Sequence, residues 1–261
     1  MPAEQSANRI VSTNPCIDAV LVELVDPNRI EAISEYSKIP TSSSIPADVA
    51  ARFKATSGTA EEVIALAPDL VLIDSFAPLA TRDALARAGI RMLTLSSPTT
   101  IAESRTQITT IAAALGEPAR GRDLVARIDQ AVDSAPHGVN PISALLWHGG
   151  SGMVSGGGTL VDEMMVRAGF RNAAADYGLQ HTGFLPLEHV VMHPPRVMLT
   201  PLPEGRADGE KRALTLRQQA MEAFSDRITE AEFPERLLFC GGPTIIPAMK
   251  RLTEIRRTIP S

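Results

Sequence analysis

Pro118-Ala119-Arg120-Gly121-Arg122-Asp123-Leu124-Val125-Ala126-Arg127-Ile128-Asp129-Gln130-Ala131-Val132-Asp133-Ser134 is the stretch on which the fold turns, because two matching segments flank it. Before it, Glu61-Glu62-Val63-Ile64-Ala65-Leu66-Ala67-Pro68 runs into Asp69-Leu70-Val71-Leu72-Ile73. After it, Glu188-His189-Val190-Val191-Met192-His193-Pro194-Pro195 runs into Arg196-Val197-Met198-Leu199. The interval from Glu61 to Glu188 equals that from Pro68 to Pro195. A helix, a proline and a strand thus occur twice, which predicts two similar lobes. In the stretch between them, Leu124, Val125, Ile128, Ala131 and Val132 form one apolar stripe at helical spacing, and charged residues cover the opposite face. Pro118 suits a first helical turn and Pro136 stops the helix. At about 1.5 Å per residue it is roughly 25 Å long, enough to link two lobes. The expected organisation is an N-terminal α/β lobe over 1–116, a bridging helix over 117–136 and a C-terminal α/β lobe over 137–261.

Working outward, short apolar strands alternate with amphipathic helices, the pattern of a mostly parallel sheet. Ile10-Val11 reads as a strand, and Asn14-Pro15 as a helix cap followed by the first helical residue. Ile30 to Ser34 reads as a strand, Glu35 to Ser44 as a polar loop, and Ala47 to Phe53 as a helix. Leu70 to Ile73 is an unbroken apolar run, the mark of a strand covered on both faces. A strand over Ile90 to Leu95 and a helix over Ile101 to Leu115 complete the first half. In the second half, Ile142 to Trp147 reads as a strand, Leu160 to Ala168 as a helix and Arg171 to Gly183 as irregular. Leu214 to Phe224 then reads as a helix, Leu237-Leu238-Phe239 as a last strand and Ile246 to Arg257 as a last helix.

A chain of 261 residues, 44% apolar, can bury one large core or two modest ones. The net charge of −5, with Lys250, Arg251, Arg256 and Arg257 as the one basic cluster, argues against nucleic acid as a partner. No run of about 18 apolar residues is present to insert in a membrane, and the polar start Met1 to Ser6 has no h-region. Cys16 and Cys240 allow either one bridge or two free thiols.

The enzyme motifs fail one by one. His148 to Gly158 is glycine-rich and joins a strand to a helix, but it lacks the Gly-Lys-Ser/Thr ending and the G-x-G-x-x-G spacing, so it reads better as a loop bordering a ligand site. His148, His181, His189 and His193 do not form a zincin pattern, and no Gly-x-Ser-x-Gly elbow occurs. Neither a metal site nor a cofactor is expected. Cys16, at a helix N-terminus, is either a thiol of lowered pKa that contacts ligand or a small buried filler. Glu61 and Glu188, near their helix starts, are matched acids suited to a two-fold partner carrying basic residues.

The segment Arg9 to Pro15, the Glu61…Leu66-Ala67-Pro68-Asp69-Leu70-Val71 unit, the helix after Gly116 and the Glu188…Pro195 unit together resemble the vitamin B12 and iron-siderophore family of periplasmic solute-binding proteins of ABC importers. Pro195-Arg196 departs from the usual Pro-Asp. The resemblance implies two Rossmann-like lobes, a rigid helical spine and a ligand held in the cleft between the lobes. It further implies a monomer in the periplasm, its leader removed, with a glutamate on each lobe, Glu61 and Glu188, pairing with arginines of the permease dimer. In parallel α/β lobes ligands lie at the carboxyl ends of strands. The expected ligand contacts are therefore Cys16, Tyr36, Ser37, Ser75 and Phe76 in the first lobe, and Trp147, His148, Tyr177, His181 and Gly242 after the bridging helix. The expected cargo is a metal chelate such as an iron-siderophore, with a corrinoid as the alternative. From another class, the rival is a cytoplasmic α/β enzyme using the His148 to Gly158 loop.

Overall fold

The computed structural model describes residues 7–136, 140–148, 152–201 and 227–259. They divide into two compact units: 1–130 with 239–245, and 131–238 with 246–261. The division falls inside the long helix Pro118–Asp133 and returns a short late segment to the first unit.

The first unit is a five-stranded, wholly parallel sheet. Its strands are β1 (Ile10–Ser12), β2 (Ile30–Ser34), β3 (Lys54–Thr56), β4 (Leu70–Asp74) and β5 (Met92–Leu95), in the order β3-β2-β1-β4-β5. Ile10 pairs with Leu70 and Ser12 with Leu72, which makes β1 and β4 the centre of the sheet. Both are buried on both faces, as the unbroken apolar run of β4 predicts. One face packs Val11, Val71 and Ile73 against Val63 and Leu85, which belong to α3 (Ala60–Ala65) and α4 (Leu79–Arg87). The others are α1 (Pro15–Leu24), the single turn α2 (Ala47–Ala50), α5 (Ile101–Leu115) and α6 (Pro118–Asp133). Most of α6 belongs to this unit because its charged face is anchored there: Arg120 pairs with Asp26 at 2.8 Å, Arg127 with Glu23 at 2.9 Å, and Asp129 with Arg105 at 2.6 Å.

The second unit repeats this plan with an addition. β6 (Ile142–His148), β8 (Phe170–Asn172), β10 (Val197–Thr200) and β11 (Thr229–Glu232) are mutually parallel; β7 (Met153–Val154) pairs antiparallel with the end of β6, and β9 (Gly183–Phe184) pairs antiparallel with β7. Its helices are α7 (Leu160–Arg167), α8 (Leu187–Met192) and α9 (Ile245–Thr258), whose first residue belongs to the first unit. The Arg256 guanidinium of α9 donates to the carbonyls of Gly169 and Asn140. The sequence repeat is a structural one: α8 follows α3, and β10 follows β4, at the same interval that separates Glu188 from Glu61. β10 lies between β6 and β11 as β4 lies between β1 and β5. The chain is therefore two α/β units with mostly parallel sheets, joined in sequence by the helix α6.

Three readings need correction. Leu237-Leu238-Phe239 is not a strand; Glu235–Leu237 is a 3₁₀ turn that buries Leu237, and the strand is the polar Thr229–Glu232 before it. The helix expected over Ala47 to Phe53 stops after one turn, and β3 follows. β3 and β11 are sheet edges, so neither needs an apolar run; β7, β8 and β9, two or three residues each, are too short to read as strands. The polar loop after β2 contains a 3₁₀ turn, Glu35–Lys38, whose lysine donates to the carbonyls of Ala50 and Phe53. The helix expected over Leu214 to Phe224 lies outside the described residues.

Candidate functional site

In the first unit the chain reverses its direction of winding between β1 and β4, the two central strands, and a crevice opens at such a point beyond the carboxyl ends. A pocket is found there, lined by Asn14, Asp74, Ser96, Ser97, Gln107 and Phe239 among others. Asn14 occupies the turn from β1 into α1. Its side-chain oxygen accepts from the N–H groups of Cys16 at 2.9 Å and Ile17 at 3.4 Å, and its amide donates to Asp74 Oδ2 at 3.4 Å. Asp74 ends β4, and its Oδ1 accepts the Phe76 N–H at 2.8 Å, which orders the tip between β4 and α4. Gln107 Nε2 reaches from α5 to the Ser96 carbonyl at 2.7 Å and fixes the turn after β5.

The expected contacts divide accordingly. Ser75 and Phe76 follow Asp74 on the β4 tip, and Phe76 projects with 83% of its surface exposed. Tyr36 is exposed on the 3₁₀ turn after β2. Ser37 faces inward, donating to the buried Asp18 at 2.6 Å. The reactive-thiol reading of Cys16 is corrected: Cys16 and Cys240 form a disulfide, with Cα atoms 5.0 Å apart, across a sequence separation of 224. That bond attaches 239–245 to the start of α1 and sets Phe239, 55% exposed, at the pocket's edge. Gly242 is buried beside α1 at φ +62, where a Cβ would lie 2.6 Å from Val20, so its role is close packing.

In the second unit Trp147 is buried in a core with Leu145, Val154, Val190 and Met198. His148 Nε2 is 2.6 Å from Ser155 Oγ, and burial lowers its pKa. The glycine-rich segment turns back as the strand β7 before reaching α7, so it is not a direct strand-to-helix phosphate loop; residues 149–151 lie outside the described set. A Cβ on Gly156 would sit 2.2 Å from the His181 carbonyl, which holds that return against the exposed His181. Tyr177 donates its hydroxyl to the His193 carbonyl at 2.5 Å, and burial pushes its pKa to about 12, both of which oppose its deprotonation as an iron ligand. Glu61 and Glu188 are exposed at equivalent positions in the first turns of α3 and α8. Among the described residues no cluster of His, Cys, Asp or Glu is arranged to hold a metal ion, and no helix is long and apolar enough to cross a membrane.

The sequence reading missed Ser96, Ser97, Gln107 and Phe239. The strand-end rule, applied to β5 as it was to β1 and β4, leads to Ser96 and Ser97. Gln107 lies inside a helix and Phe239 is brought in by the disulfide, so neither carries a local signal.

The family model described as periplasmic binding protein matches residues 10–214. Several solved structures share the fold. A periplasmic heme-binding protein from Pseudomonas aeruginosa superposes with a TM-score of 0.75 at 20% identity, over 98% of this chain and 94% of that one. The periplasmic vitamin B12 binding protein of Vibrio cholerae gives 0.68 at 18% identity, over 97% of each. A protein of an ABC-type Fe3+-hydroxamate transport system from Saccharomonospora viridis gives 0.68 at 21%, over 95% and 93%. No curated protein sequence matches the chain significantly.

Proposed function

The chain belongs to the periplasmic binding protein family, matched over residues 10–214, and from that premise we propose that it captures a metal chelate in the periplasm and delivers it to an ABC importer. The observation that carries the reading is the open crevice at the carboxyl ends of β1, β4 and β5, rimmed by the exposed Phe239 and by the hydrogen-bonding groups of Asn14, Asp74, Ser96 and Ser97. Such a rim suits a bulky ligand with apolar faces and scattered polar atoms. The iron-siderophore class heads the candidates and a corrinoid follows. Tyr177 is bonded within its own unit, which weighs against iron ligation by that phenol.

The partner in this reading is a permease dimer, met by the binding protein as a monomer through Glu61 and Glu188. The matched exposure of these acids on two copies of one structural unit supports it. The Cys16–Cys240 disulfide fits an oxidising compartment. Nucleic acid and membrane insertion have no part in it.

A screen of haem, cobalamin and ferric siderophores by thermal shift and absorbance tests the proposal. A ligand present at 100 times its Kd stabilises the folded state by about 2.7 kcal/mol, a shift of a few degrees. Stabilisation by at least one chelate is expected. No shift with any of them, or turnover of a substrate by the purified protein, would refute the reading.

A further inference from the structure

We infer that the pocket in the first unit favours neutral or cationic chelates over polyanionic ones, with Asp74 as the specificity-determining residue; this rests on the capture function proposed above. Asp74 is the one charged residue among the described residues that line the pocket. Helix N-termini ordinarily attract anions through unpaired N–H groups. Here the start of α1 is already capped, because the Asn14 side chain accepts from both Cys16 N and Ile17 N.

The start of α5, just beyond Pro98 on the pocket's edge, is occupied in the same way. Thr100 Oγ1 accepts from Glu103 N, and the Glu103 carboxylate accepts from Thr99 N and Thr99 Oγ1. Those bonds hold the Glu103 pKa below the ordinary range, so a second negative charge stands near the rim. Gln107 turns its amide donor onto the Ser96 carbonyl. On the neighbouring loop after β2, Lys38 is directed at the carbonyls of Ala50 and Phe53. An anionic ligand at this pocket therefore meets a carboxylate with no cation among the described lining residues to offset it. The repulsion grows in proportion to ligand charge.

The test uses three hexadentate ferric chelates of different charge: ferrioxamine B, a monocation; ferrichrome, neutral; and ferric enterobactin, a trianion. Each is titrated by equilibrium dialysis against the whole protein and against Asp74→Asn, which keeps the oxygen that accepts the Phe76 N–H. The cationic and neutral chelates are expected to bind at least about tenfold more tightly than the trianion, an order of magnitude that follows from the charge product. Relative to the neutral chelate, Asp74→Asn should weaken the cation several-fold and strengthen the trianion. In the wild-type protein, salt should weaken the cation and strengthen the trianion, a readout that needs no variant. If the trianion binds as well as the neutral chelate, if Asp74→Asn alters all three equally, or if salt acts in the opposite sense, the charge preference is wrong while chelate capture stands. If none of the three nor cobalamin binds, both fall.

Discussion

Asp18 shows how much a single buried group shapes this protein. It lies on the first turn of α1, fully enclosed, accepting from Ser34 N at 2.8 Å and Ser37 Oγ at 2.6 Å, and it ties the end of β2 and the turn bearing Tyr36 to α1. Burial raises its pKa from 3.8 to about 7, outweighing the hydrogen bonds from its serine neighbours. Between those two values the folded protein keeps a proton that the unfolded chain has released. The stabilisation from Asp18 is thus full below about pH 4 and is lost as the pH rises through about 7. Glu31, Glu62 and Glu103, whose pKa values are held low by hydrogen bonds, act in the opposite sense and in a more acidic range. Urea unfolding from pH 5 to 8 should therefore show stability falling by up to roughly 1.4 kcal/mol per pH unit, with a much flatter profile in Asp18→Asn. Equal slopes in the two proteins would contradict this account of Asp18.

At the scale of elements, the duplicated helix and strand carry most of what sequence alone made legible. The repeat interval survives in the boundaries of α3, β4, α8 and β10 because each copy buries apolar side chains at matching positions, Val63 with Val190 and Leu70 to Leu72 with Val197 to Leu199. The edge strands β3 and β11 escaped because a strand with one neighbour can be polar, and Lys54-Ala55-Thr56 and Thr229-Glu230-Ala231-Glu232 have no apolar run to read. The pocket was half legible: Asp74 and Asn14 follow from where parallel strands end. Phe239 reaches it through a disulfide whose partner lies 224 residues away in sequence. The two short helices also carry the docking prediction. Replacing Glu61 and Glu188 together with Ala should leave chelate affinity within about twofold while reducing uptake in cells, because exposed acids of this kind stabilise little within their own chain. Affinity lost in step with uptake would move these residues from docking to cargo binding.

For the whole molecule, each unit is held by its own mostly parallel sheet, and the late segment 239–245 is bound back to the first by the disulfide. Closing so long a loop stabilises by on the order of 5 kcal/mol in the chain-entropy view, and with the close packing of Gly242 against α1 it keeps Phe239 and Gly241 at the pocket. The polar side chains around the crevice fix loop shape: Asn14 caps α1, Asp74 orders the β4 tip and Gln107 holds the turn after β5. The most direct measurement is a calorimetric titration of the strongest ligand from the chelate screen into the wild-type protein and into Phe76→Ala and Gln107→Ala. We expect one ligand per chain, with affinity lowered about tenfold by either substitution and melting temperature without ligand changed little, since Phe76 is exposed and Gln107 fixes a surface turn. Undiminished affinity in both variants would show that the cargo is held elsewhere and contradict the site described here.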